Sequence, residues 1–222
     1  MTKFFLRLRI VATIVACLAV MMFASCNKDK DDDGLSTSTI TSITADVEGG
    51  SALNDLIDEV RLEARIESYY YVVLETAKFT NGGFEFDLPK DVDLSNLRFG
   101  IFVDELDNTA PLEGIKVSNE NVNVVWVNMY AYDKDGKQLG YFDYSKHNTY
   151  SLLYYSDGDV NITGKHTRED KGSGSMETII YSCSFKKGWN MAFEVIQRVS
   201  GGWDYTVTTK SQSDVKWVFN RW

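Results

Sequence analysis

Two acidic segments contain the residue types that could bind a hard cation. Asp133-Lys134-Asp135-Gly136 and Asp157-Gly158-Asp159 each place two carboxylates two residues apart, next to a glycine. An EF-hand loop has a third oxygen ligand before its glycine and a glutamate at position 12, where this chain has Tyr144. Asp-Gly between alternating apolar segments is also typical of a hairpin turn. We therefore predict turns at both places and no metal site.

Residues for hydrolytic chemistry are few. The two histidines, His147 and His166, lie in polar segments, so a serine or cysteine nucleophile has no evident base. The motifs Gly-x-Ser-x-Gly, His-Glu-x-x-His and Cys-x-x-Cys do not occur. With 32 acidic residues, some carboxylate pair for glycoside hydrolysis is always nominally available, so the number is uninformative. We predict no catalytic residue and no cofactor.

Aromatic residues are abundant, with 12 Tyr, 12 Phe and 5 Trp. An exposed ring can stack on the apolar face of a sugar, because both surfaces are flat and apolar. Trp203, just after a Gly-Gly turn, and Tyr70 are predicted to be exposed and are the candidate ligand-binding residues. Trp126 and Trp217 are predicted to lie in the core, and Trp189 and Trp222 are left open.

The first 25 residues have the layout of a secretory signal. Lys3, Arg7 and Arg9 precede a mostly apolar run at 10–23, and no acid occurs in this stretch. The apolar run is shorter than the roughly 20 residues that a membrane-spanning helix needs. We therefore predict that residues 1–25 are a cleaved signal peptide.

The residues at the end of this signal suggest a lipid anchor. Phe23-Ala24-Ser25-Cys26 resembles a bacterial lipobox, with Phe where Leu is more usual. The resemblance implies cleavage before Cys26, a diacylglycerol on its thiol and acylation of the new amino terminus. At about 0.8 kcal/mol for each buried methylene, two or three acyl chains anchor a protein stably to a membrane. A secreted protein cleaved near Ala24 is the alternative.

Residues 26–38 are charged or small and almost free of apolar side chains, so we predict a solvated tether. Its acidic run at 29–33 resembles the surface-export signal of lipoproteins in Bacteroidetes-type Gram-negative bacteria. The resemblance implies an outer-membrane protein displayed on the cell surface. A periplasm-facing position is the alternative.

Cleavage also changes the charge and the cysteine content. The net charge goes from −9 to −12, because residues 1–25 contain three cations and no acids. Such a surface repels phosphate backbones, so we expect no nucleic acid partner. Cys17 is lost with the signal and Cys26 is lipidated, which leaves Cys183. Cys183 lies in the strand-like run 179–185 and is predicted to be a small buried side chain rather than a nucleophile.

The pattern from Ile40 onward is typical of β-strands separated by turn formers. Residues 53–66 are ambiguous, because the first half fits a helical stripe and the second half alternates from Glu59 to Ile66. We predict a strand in that second half and an exposed loop at 166–175. We also predict that 176–185 and 189–199 form a hairpin across Lys186-Lys187-Gly188. The predicted strands are 40–47, 59–66, 69–79, 84–88, 98–103, 122–132, 138–144, 150–155, 160–164, 176–185, 189–199, 203–209 and 214–222.

Short strands with hairpin turns and no long helical stripe indicate an all-β protein with an antiparallel β-sandwich architecture. The segment 104–114 is rich in turn formers and acids and divides the strands into five and eight. We therefore predict two small sandwich modules, at 39–110 and 115–222, and one large β-domain is the alternative.

These features together resemble small lipoproteins of Bacteroidetes. Ile57–Leu62 followed by Asn81–Pro89 is similar to their transthyretin-like or immunoglobulin-like sandwich modules. Asp157–Gly164 and Lys187–Asn190 are similar to the C-terminal halves of those proteins. The resemblance implies the fold and the cellular location, and it implies no catalytic residue.

Three hypotheses for function follow. The first is a non-enzymatic, lipid-anchored cell-envelope protein that binds a glycan or a protein through an exposed aromatic patch. The second is a structural or accessory subunit of an envelope assembly, which requires an unpaired, uncharged edge strand. The third is a hydrolase, which requires converging carboxylates with displaced pKa values.

Overall fold

The computed structural model describes residues 39–67, 70–94, 113–170 and 172–222, without the side chains of Ile66, Glu67 and Tyr70. The predicted signal peptide 1–25, the tether 26–38 with Cys26, the strand at 98–103 and most of the boundary at 104–114 lie outside the described residues. Among the residues that are described, no helix is both long enough and apolar enough to cross a bilayer.

The described chain is almost entirely β, as its alternating pattern predicts. A short 3-10 helix at Gly50–Leu53 precedes the strand that was predicted from Glu59. The strands are β1 Ser42–Asp46, β2 Glu59–Glu67, β3 Tyr70–Lys78, β4 Gly83–Asp87, β5 Ile115–Val117, β6 Val124–Tyr132, β7 Gln138–Lys146, β8 Thr149–Ser156, β9 Val160–Glu169, β10 Met176–Phe185, β11 Gly188–Val199, β12 Gly202–Thr208 and β13 Lys216–Arg221.

These strands form two sheets in a sandwich-like arrangement, so the predicted all-β sandwich is confirmed. The small sheet pairs β1 with β4. The large sheet has the order β3-β2-β6-β7-β8-β11-β12-β10-β9-β5, with β13 attached to β7 and an additional β6–β8 pairing. The described strand pairs are antiparallel except for β10 and β12, which run parallel.

The turn predicted at Asp133–Gly136 forms, whereas Asp157–Asp159 is a bend between β8 and β9, which do not pair with each other in the described ladders. An Asn-Gly turn precedes β4. Asn81 and Gly82 have φ of 54° and 83°, as a tight hairpin turn requires. In the turn between β6 and β7, the carboxylate of Asp133 accepts backbone N–H bonds from Asp135 at 3.0 Å and from Lys137 at 2.9 Å. This carboxylate therefore closes its own turn.

Two local predictions are wrong. Residues 166–169 continue β9 instead of forming a loop, and their ladder with β10 extends to Met176↔Glu169. Strands β10 and β11, predicted to form a hairpin, do not pair in the described ladders, because β12 lies between them. β12 is parallel to β10 and antiparallel to β11. The turn formers between β10 and β11 are compatible with a hairpin and with a longer connection. Contacts with β12 therefore determine which strands pair, and the local sequence does not reveal them.

The two predicted modules, 39–110 and 115–222, share one sheet in the described structure. β2 pairs with β6 from Glu59↔Tyr132 to Ala64↔Val127. β2 belongs to the first predicted module and β6 to the second, so this ladder crosses the expected boundary at 104–114.

Two hydrophobic clusters form the core, on opposite faces of the large sheet. Tyr154 belongs to the smaller cluster and its chain neighbours Leu153 and Tyr155 to the larger one, as the alternation of side chains along a strand requires. The larger cluster packs against the small sheet and contains Trp217, which is buried as predicted. Cys183 lies in the smaller cluster, where burial raises the pKa of its thiol to about 12. Its predicted role as a buried side chain is confirmed.

Candidate functional site

The exposed large hydrophobic side chains of the described chain fall in two surface patches. They are Tyr71, Val73, Trp126, Met176, Val199, Trp203 and Trp222. We define the aromatic face as Tyr71, Val73, Trp126, Tyr130, Tyr141 and Trp222. We define the tip patch as Met176, Val199 and Trp203, which meet at the ends of β10, β11 and β12. Contiguous exposed apolar surface is typical of binding sites.

Alternation along β6 places the aromatic face on the side of the large sheet opposite the larger core. Val125, Val127 and Met129 are buried in that core, whereas Trp126 and Tyr130 project from the other face. Trp126 is 43% exposed, so its predicted core position is wrong. The prediction fails because β6 begins with apolar residues on both faces. Val124 belongs to the smaller core and Val125 to the larger one, so the sequence around Trp126 resembles that of a fully buried strand.

A row of four aromatic rings crosses the sheet. Trp222 packs on Tyr141 with ring centroids 5.2 Å apart. Tyr141 lies directly opposite Tyr130 in the β6–β7 ladder. Tyr130 meets Tyr71 edge to face at 5.9 Å. The strands beneath these rings run from β13, which Trp222 follows, through β7, β6 and β2 to β3, and they cover four strand spacings or about 19 Å of sheet.

Trp126 lies beside the β3 end of this row. Arg65 is opposite Tyr71 in the β2–β3 ladder. Arg65 also follows Ala64, whose partner on β6 is Val127. Continuation of that ladder by one residue places Trp126 on the other side of Arg65 from Tyr71. The register therefore places Arg65 of β2 between Tyr71 of β3 and Trp126 of β6, the two most exposed rings on these three strands.

A buried carboxylate lies on the same face. Glu63 is only 5% exposed, and the hydroxyl of Tyr132 donates to its Oε1 at 2.6 Å. The guanidinium of Arg61 lies 3.9 Å from the centroid of the Tyr132 ring, a cation–π distance. Arg61 Nε also donates to Glu59 at 2.7 Å. The carboxylate of Glu63 is thus held by the neutral hydroxyl of Tyr132. The nearby cation, Arg61, is already paired with Glu59.

A second carboxylate, Asp143, projects from β7 two residues after Tyr141 and thus on the same face. The side-chain amide of Asn220 donates to Asp143 Oδ2 at 3.1 Å. Burial raises the pKa of Asp143 to about 6. None of the described ion pairs includes Asp143, so its negative charge is costly. A costly carboxylate beside exposed rings is typical of a functional site.

Glu194 is the other carboxylate whose pKa burial raises. It lies opposite Tyr150 on β8, and its charge acts on Tyr154 and Tyr181 of the smaller core. Asp143 lies on β7 among the residues of the aromatic face. Glu194 pairs with Tyr150, which pairs with Ser145 two residues after Asp143, so the two carboxylates lie on the same side of the large sheet, on strands separated by β8.

The sheet does not place the two predicted ligand-binding residues side by side. Trp203 is 39% exposed, as predicted, and belongs to the tip patch, where the guanidinium carbon of Arg198 lies 5.8 Å from its ring centroid. Tyr70 is the first residue of β3, and its side chain is outside the described part of the chain. In the strand order of the large sheet, β2, β6, β7, β8 and β11 lie between β3 and β12.

Most of the aromatic face is not evident from the sequence. One signal was present: Trp126, Tyr130 and Tyr132 share one parity along β6, and Val125, Val127, Met129 and Ala131 have the other. Such a strand has one aromatic face and one aliphatic face. The positions of Tyr71, Tyr141 and Trp222 carry no comparable signal, because they join the face through strand pairing.

No protein-family model matches the chain, and no curated protein or solved structure matches it. The function of this protein has to be inferred from its residues and their geometry.

Proposed function

We propose that this protein is a non-enzymatic, glycan-binding protein of the bacterial cell envelope, held on the outer membrane by a lipid on Cys26. The glycan binds on the aromatic face. The observation that carries this proposal is the row of Trp222, Tyr141, Tyr130 and Tyr71, which lies on an outer face of the sheet next to hydrogen-bonding side chains.

The composition of this surface fits a sugar better than a purely apolar ligand. A sugar ring has apolar C–H faces and a rim of hydroxyls, so it needs aromatic rings next to hydrogen-bond donors and acceptors. The face provides the carboxylate of Asp143, the amide of Asn220 and, between Trp126 and Tyr130 on β6, the amide of Asn128. An apolar ligand would desolvate these groups without replacing their hydrogen bonds with water.

Trp126→Ala is expected to weaken glycan binding by about tenfold or more, because an exposed aromatic ring at a binding surface contributes on the order of 1.4 kcal/mol. The measurement uses residues 33–222, which contain every described strand. They would be titrated with host mucin glycans and plant polysaccharides while intrinsic tryptophan fluorescence is followed. A panel without any saturable response would contradict the proposal.

Trp203→Ala is the matched control, since it removes an equally exposed indole from the tip patch. We expect it to bind like the wild type. If instead Trp203→Ala abolishes binding and Trp126→Ala preserves it, the site belongs to the tip patch and the aromatic face has no role.

The lipid anchor has its own test. Cys26→Ala is expected to leave the precursor uncleaved and to abolish incorporation of labelled palmitate, because the thiol that accepts the diacylglycerol is absent. Membrane fractionation and protease treatment of intact cells then report the attachment and the surface display of the wild type. Processing and attachment that are unchanged in Cys26→Ala would refute the anchor.

An accessory subunit of an envelope assembly is the second candidate. Its support is that β3 pairs only with β2 among the described strands and is uncharged from Tyr70 to Leu74. Against it, the β2–β3 ladder has two register shifts, and Glu75 follows the uncharged part. Bulges and edge charges are typical protections against strand addition. Cross-linking from Val73 on intact cells would favour this candidate if it captures one defined protein that competing glycan does not displace.

A further inference from the structure

We infer that the aromatic face binds the interior of an extended, neutral polysaccharide chain rather than a terminal sugar or an acidic glycan. This inference rests on the proposed function and names the ligand class of the same site. It follows from the length and exposure of the row of rings and from the pairing and burial of the charged groups around it.

The shape of the row fits a chain of sugars. Four rings are spread over five strands, and about 19 Å of sheet is far more than one sugar ring can cover. At one end Trp222 is 72% exposed, and at the other Tyr71 is 43% exposed. Both end rings are thus more open than Tyr130 and Tyr141, which are half-buried between them. A row whose ends are its most open points lets a chain continue beyond it in both directions.

The charged groups of the face disfavour acidic sugars. Recognition of a carboxylate or sulfate normally uses an uncommitted arginine in a bidentate contact. Arg61 is committed to Glu59, and Arg65 also has an interaction partner. Asp143 contributes a negative charge without a described ion pair. An acidic chain would therefore meet repulsion and find no free guanidinium among these residues.

The same groups offer little to a cationic sugar. Glu63 is buried and already accepts the hydroxyl of Tyr132. Asp143 accepts the amide of Asn220, and it is also partly withdrawn from solvent. Asp143, the less buried of the two, is placed to accept a hydrogen bond from a sugar hydroxyl at the edge of the row.

The test is a chain-length series on residues 33–222. The probes are β-1,4-linked glucose, mannose and xylose oligosaccharides from the monosaccharide to the hexasaccharide, with polygalacturonate and mucin glycans for comparison. For the series that binds, we expect affinity to rise by about tenfold or more between the monosaccharide and the tetrasaccharide. The parent polymer should bind at least as tightly as the hexasaccharide, and polygalacturonate should not bind.

Trp222→Ala sharpens the test, because this exposed ring is at one end of the row and its removal leaves the core unchanged. We expect it to weaken hexasaccharide binding by about tenfold and disaccharide binding by much less. Trp203→Ala should behave like the wild type for every length.

Each other outcome overturns a defined claim. A monosaccharide that binds as tightly as the hexasaccharide overturns chain binding and leaves glycan binding intact. Tighter binding of polygalacturonate than of every neutral chain overturns neutrality alone. Absence of binding by every neutral chain, polygalacturonate and mucin glycan alike refutes the proposed function itself.

Discussion

Trp189→Ala is expected to lower the free energy of unfolding by about 3–5 kcal/mol, the usual cost of truncating a large buried aromatic side chain. Trp189 is 2% exposed and meets the ring of Tyr155 at 5.3 Å. Its indole N–H donates to the carbonyl of Pro89 at 2.7 Å. Its own carbonyl accepts the N–H of Ile40 at 3.0 Å. Trp189 therefore fixes two earlier segments of the chain, one at Ile40 and one at Pro89, against β11.

Urea unfolding and thermal melting of residues 33–222 would measure this effect, and we expect a loss of about 10 °C in Tm. Trp203→Ala, on the neighbouring strand but 39% exposed, should cost less than about 1 kcal/mol. Trp189→Phe separates packing from hydrogen bonding, with an expected cost of about 1–2 kcal/mol for the lost indole bond. Equal costs for Trp189→Ala and Trp203→Ala would show that the contacts of Trp189 with Pro89 and Ile40 do not form.

Asp143→Asn is expected to stabilise the protein at pH 8 by up to about 3 kcal/mol, since each unit of pKa shift corresponds to 1.36 kcal/mol. Burial raises the pKa of Asp143 from 3.8 to about 6, so the folded state binds this proton more tightly than the unfolded state. The penalty is therefore full above about pH 6, and it disappears as the pH falls to about 4. Asparagine keeps the shape of the side chain and can still accept the N–H of Asn220 through its carbonyl oxygen.

Unfolding of the wild type and of Asp143→Asn at pH 8 and pH 4 would test this, with a difference expected only at pH 8. Asp135→Asn, in the exposed turn between β6 and β7, is the control that should show no such difference. We also expect Asp143→Asn to weaken glycan binding, because a charged acceptor is replaced by a neutral one. A variant that gains no stability at pH 8 would show that the carboxylate is well solvated.

Strand positions were predictable because most strands are long enough to show alternation. The predicted strand 176–185 has the bounds of β10, and the prediction from Glu59 starts at the first residue of β2. β5 was not predictable, because three residues, Ile115–Val117, are too few to alternate. The parallel β10–β12 pairing was also not predictable, because strand order depends on contacts between distant residues.

The candidate site was predictable only in part. Trp203 follows a turn at a strand end, and its exposure could be inferred locally. Trp126 follows Val124 and Val125, which belong to the smaller and the larger core respectively. Apolar residues on both sides of a strand normally indicate burial of both faces. Both faces of β6 are buried at Val124 and Val125, but one face is exposed or half-buried from Trp126 to Tyr130. The position of this change depends on which distant strands pack against the sheet, so the local sequence does not reveal it.

The pairing of β2 with β6 has a consequence for how the chain acquires its structure. Glu59 pairs with Tyr132, and Gly140 of β7 pairs with Arg221 of β13. Neither ladder can form until long stretches of the chain have been synthesised, and closing such loops is slow. Val60, Leu62 and Ala64 of β2 thus stay exposed to aggregation until their later partner strands have been made.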